Sequence, residues 1–193
     1  MIFGKPEEFA LYVDVIKERS NELNALEGVS GIWLKNELFI TNTGLIALPN
    51  DFENIIEIAP QIIKCSSLYK LNNLDLLKDI LNKRFPNWCV SSKEEWEKNI
   101  DKWLDIEEIT EYDISLESCS IGNELNYYLL GIRNEYMMKI LMYIKNKEFD
   151  FFDFGMMADS DVRCVEISYK DFRDIVDQLE GFIKKSRLDI LGR

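Results

Sequence analysis

Between positions 150 and 166 the chain gathers Asp150, Asp153, Asp159, Asp161 and Glu166. Oxygen donors of this kind suit Mg²⁺ or Ca²⁺. Their spacing departs from a calcium loop, which alternates its ligands around a central glycine and closes with a bidentate glutamate. A solvated acidic loop is the commoner source of such a charge run. The same stretch contains Asp153-Phe154-Gly155, the triplet that holds magnesium in protein kinases. No Gly-rich loop, strand lysine, His-Arg-Asp loop or Ala-Pro-Glu accompanies it, so the kinase reading is excluded. No P-loop, G-x-G-x-x-G or G-x-S-x-G elbow is present either.

The chain has no histidine, which rules out Ser-His-Asp and Cys-His nucleophile arrangements and any His-ligated zinc. Cys65, Cys89, Cys119 and Cys164 are widely spaced, with no C-x-x-C pair, and read as reduced thiols. The net charge of −12 repels phosphate backbones and anionic membranes and favours a basic partner. No run reaches the length of a membrane span, and the opening residues lack the pattern of a signal peptide, so a cytoplasmic protein is expected.

These side chains must be positioned by a core that 193 residues can readily supply, and one domain over residues 1–193 is expected. Residues 9–17 read as a strand. Ile32-Trp33-Leu34 and Leu38-Phe39-Ile40 read as a hairpin around a three-residue Lys35-Asn36-Glu37 turn. Asn50 is a candidate helix cap with Glu53 three residues on, and Pro60 disturbs or ends that helix. Leu74, Leu77, Ile80 and Leu81 form one helical stripe, and Ser92 caps a further helix carrying Trp96, Ile100, Trp103 and Leu104. From residue 110 the period becomes two, giving strands over "TEYDISLE" (110–117), "LNYYLLGI", "EYMMKILMYI" and 162–167. Ser168 then caps a helix whose stripe is Phe172, Ile175, Val176, Leu179, Phe182 and Ile183, with Lys184 and Lys185 in its last turn. Segregated strands and helices predict an α+β fold, an antiparallel sheet packed by several helices and closed by the C-terminal one. The stretch from Lys147 to Asp161 is long for a hairpin connection. Its phenylalanines and methionines, rimmed by acids, fit either an interface or a strand entering the core.

The opening "MIFGKPEEFALYVDV", with its Phe-Gly turn, Pro6 and Phe-Ala strand, resembles the bacterial immunity proteins of the family catalogued as immunity protein forty-two. The "GIWLKNELF" hairpin and the closing "SYKDFRDIVDQLEGFI" are similar in style, and the likeness is strongest before residue 50. The resemblance implies an α+β, non-enzymatic antitoxin of a polymorphic or contact-dependent toxin system, without a cofactor. Its partner would be a toxin domain, basic and of nuclease type, with no direct contact to nucleic acid or membrane. On the residues themselves, the expected partner surface comprises Glu111, Asp113, Glu117, Asp153, Phe154, Asp159 and Asp161, the acids steering a basic partner. The alternatives are a small carboxylate-based metal enzyme using Asp150, Asp153, Asp161 and Glu166, and an acidic regulatory module.

Overall fold

A computed structural model of the chain describes residues 1–23, 25–40, 46–84, 89–90, 92–98, 114, 127–144, 152–153 and 157–192. In chain order the first elements are β1 (Ile2–Gly4), β2 (Phe9–Val15), α1 (Lys17–Leu23), β3 (Glu27–Leu34), β4 (Glu37–Ile40), β5 (Ile46–Ala47), α2 (Leu48–Ile58) and α3 (Ser66–Tyr69). After these come α4 (Asn73–Arg84), β6 (Cys89–Val90), α5 (Lys93–Lys98), β7 (Tyr127–Arg133), β8 (Met137–Ile144), β9 (Phe152–Asp153), β10 (Val162–Ser168) and α6 (Tyr169–Leu191). The α+β expectation holds, with the strands divided among three sheets.

The first sheet runs β1-β2-β3-β4, all antiparallel, with β5 paired to the start of β3. Pairing of Phe9 with Leu34 and of Leu11 with Ile32 puts alternate residues on one face. Phe9, Leu11, Val13, Ile32 and Leu34 therefore enter the core together. The hairpin turn has two residues instead of the expected three, because Glu37 already pairs with Leu34. Lys35 (φ +50°) and Asn36 (φ +67°) take the left-handed conformations of a type I′ turn, whose twist matches the flanking strands.

The second sheet has the order β10-β8-β7, antiparallel throughout, and is buried on both faces. One face sends Leu129, Met138, Ile140, Met142, Val165 and Ile167 into the core shared with the first sheet, α2 and α6. The other sends Tyr128, Leu130, Ile132, Leu141 and Tyr143 against Leu76, Leu77, Ile80 and Leu81 of α4. This explains why β7 and β8 read as nearly continuous apolar runs. β6 and β9 make a short parallel pair, Cys89 opposite Phe152 and Val90 opposite Asp153.

Helix ends follow their caps. α2 starts at Leu48 with Ala47 as its N-cap, three residues ahead of the expected cap Asn50. Pro49 is tolerated because first-turn amides have no helical acceptor. Buried Ser30 of β3 donates its hydroxyl to the carboxylate of Asp51, tying α2 to the sheet. Ser92 accepts from the Glu95 amide at 3.2 Å, and Ser168 from the Asp171 amide at 2.9 Å, both as expected. α6 continues past Lys184 and Lys185 to Leu191, so those lysines lie two turns inside its end, and left-handed Gly192 closes it.

Candidate partner-binding surface

The expected acids fall in different settings. Glu111, Asp113, Glu117 and Phe154 lie outside the described residues, as does Asp150 of the metal alternative. Within the predicted strand over 110–117, Ile114 is described: it is buried, and its amide donates to the Leu129 carbonyl of β7 at 3.0 Å. Asp153 sits in β9. Asp159 and Asp161 form a 3-10 turn leading into β10, and both are exposed. The Asp161 carboxylate accepts from the Ala158 amide at 2.9 Å, which fixes the turn. Arg163 donates to the Ser160 carbonyl at 2.7 Å and pairs with Glu37 at 3.5 Å. An acidic corner is thus anchored beside the first residue of β4. Of the apolar residues in the long connection before it, Phe152 is in β9 and Met157 is buried in the second core, and Phe149, Phe151, Phe154 and Met156 lie outside the described residues.

A cluster that the sequence reading missed lies on the second sheet. Lys139 of β8 stands opposite Glu166 of β10 and is only 6% exposed. Its ammonium donates to the carbonyls of Tyr69 (2.9 Å) and Leu71 (3.0 Å), closing the C-terminal end of α3. The Tyr69 hydroxyl donates to Glu166 at 2.7 Å, and Glu166 reaches Lys139 at 3.8 Å. Burial, and then the Glu166 carboxylate, raise the Tyr69 phenol above its ordinary value. Burial likewise pushes the neighbouring Cys164 thiol up to about 11. Both groups stay protonated near neutrality, so neither is an activated nucleophile.

The carboxylates of the metal alternative are not brought together where they are described. Asp161 and Glu166 are five strand residues apart, roughly 16 Å, and Glu166 already serves Tyr69 and Lys139. Among the described residues no group of three or more His, Cys, Asp or Glu side chains is placed to hold a metal ion. No described helix is long and apolar enough to cross a membrane.

The profile of Immunity protein 42 matches residues 1–182. The chain belongs to that family. Membership therefore extends far beyond the N-terminal resemblance, through both large sheets and most of α6. The crystal structure of CdiI from Burkholderia dolosa AUO158 is similar, with a TM-score of 0.65 at 16% identity. The likeness covers 94% of this chain and 99% of that one, and at this identity it speaks for the fold. No curated protein matches the sequence.

Proposed function

We propose that this immunity-family chain neutralises a cognate toxin domain by direct, stoichiometric binding in the cytoplasm, without catalysis or a cofactor. Family membership over residues 1–182 carries the reading. The residue chemistry is consistent with it, because the chain has no histidine for acid–base or nucleophilic work. A net charge of −12 favours a basic toxin, such as a nuclease, since opposite charge accelerates association. Glu111, Asp113, Glu117, Asp153, Asp159 and Asp161 supply the steering charge in this reading, with Phe154 as an apolar contact. Co-expression with the toxin domain encoded by the neighbouring gene is the test. Rescue of growth and recovery of a one-to-one complex are expected; a purified pair that neither associates nor rescues growth would overturn the reading.

A further inference from the structure

Strand alternation gives the first sheet a second face, turned away from the core. Cross-strand pairing lays out one row on it, Ile2 to Tyr12 to Gly31 to Ile40. A second row runs Ala10 to Trp33 to Leu38. Neither row carries a charge, although 30% of the chain is charged. Ile2 is 45% exposed, Leu38 37% and Ile40 40%, and none of these three, nor Tyr12 or Trp33, belongs to either core cluster. Ala10 and Gly31 are the small members, so Tyr12 and Trp33 stand above a shallow floor. An uncharged, aromatic sheet face of this kind marks an interaction site.

Two further observations point to its occupant. The indole Nε1–H of Trp33 is screened from solvent and reaches no acceptor among the described residues, an uncommon and costly state. A partner carbonyl laid along Trp33 and Leu38 would relieve it after a small shift of the ring. The border of the face is acidic: Asp14, in the next row opposite Val29, is exposed and has no ion pair among the described residues. At the β4 edge, Glu37 shares the register row of Leu34, so its pair with Arg163 holds the Asp159–Asp161 corner at the sheet edge on the core side of these rows. An uncharged apolar face bordered by Asp14, on a chain of net charge −12, complements a protein surface with an apolar knob flanked by lysine or arginine.

Resting on the immunity reading above, we infer that the outward face of the β1–β4 sheet is the apolar centre of the toxin-binding surface, with Tyr12, Trp33, Leu38 and Ile40 as anchors. The probe is the purified toxin domain of the neighbouring gene, titrated with the full chain and with Tyr12→Arg, Ile40→Lys and, as a control, Leu188→Lys on α6, where Leu188 is 60% exposed. Thermal melts confirm folding, and sedimentation reports oligomeric state. Tyr12→Arg and Ile40→Lys should weaken binding about thirtyfold or more, the scale of a hot spot, and Leu188→Lys should leave it unchanged. Hydrogen exchange on the wild-type complex supplies a reading free of any folding defect: the segment carrying Leu38 and Ile40 should become protected. If the wild type binds the toxin while both variants bind as well as it does and this segment stays unprotected, the inference fails and the immunity reading stands. Loss of self-association in the variants, with toxin binding intact, would assign the face to a second copy and also overturn it. If the wild type does not bind, the two readings fall together.

Discussion

At the scale of single residues, Lys139 is the most consequential polar group described. A buried ammonium is tolerated because two carbonyls and a carboxylate complete its surroundings. Lys139→Ala would leave the Tyr69 and Leu71 carbonyls without their donor and Glu166 without its counter-charge. A loss of about 2–3 kcal/mol is expected, or roughly 5–10 °C in Tm for a chain of this size. Glu166→Gln keeps an acceptor for Tyr69 and should cost clearly less; equal losses would assign the effect to charge alone. The thiols make a second test. Cys65 is held below the usual thiol range, chiefly by its hydrogen bond with Ser67 at 3.3 Å, whereas burial pushes Cys164 up to about 11. The thiolate is the reactive form, so more of Cys65 reacts at any pH between neutrality and 9. Alkylation of the native protein followed by peptide mass spectrometry should label Cys65 well before Cys164. Equal labelling, or the reverse order, would contradict the burial of Cys164.

Elements were legible wherever one local signal determined them. The Ser168 cap and the six-residue apolar stripe located α6, and both are observed. Its end was misjudged because two lysines resemble a closing turn, while Arg187, Leu188, Ile190 and Leu191 continue the helix as readily. The hairpin was legible except for one residue of its turn, since nothing in Lys35-Asn36-Glu37 announces two positive φ values. The Tyr69–Lys139–Glu166 cluster was hidden for a different reason. Its members are brought together by strand register, and the sole local trace is a lysine at a buried position of "MMKILM". The outward face of the first sheet was equally hidden, because its rows join residues from four strands. The turn offers a test at this scale. Lys35→Asn with Asn36→Gly supplies the residues that a type I′ turn favours, and should add about 1 kcal/mol, or roughly 3 °C in Tm. A lower Tm would mean that the turn is not of this type.

Across the whole molecule, charge and shape divide the work of recognition. Net charge acts over a Debye length and sets how fast a partner arrives, whereas the close contacts of an uncharged face set how long it stays. The −12 charge of the chain should therefore appear in the association rate with a basic toxin, which is expected to fall by about tenfold between roughly 50 mM and 500 mM salt. The acidic corner at the head of β10 tests whether that charge is local. Asp161 also fixes the turn through the Ala158 amide, so Asp161→Asn removes its charge while keeping an acceptor. Asp159 holds the turn only through its backbone carbonyl, which accepts from the Val162 amide, and no bond of its side chain is described, so Asp159→Lys can reverse its sign. Stopped-flow association of the double variant with the toxin domain should be several-fold slower at low salt, and its rate should vary less with salt. Dissociation should change little, because exposed rim charges act chiefly on encounter. Association and dissociation both unchanged at low salt would remove Asp159 and Asp161 from the partner surface. Faster dissociation with unchanged association would move them from its border to its buried centre, in contact with the apolar rows of the first sheet.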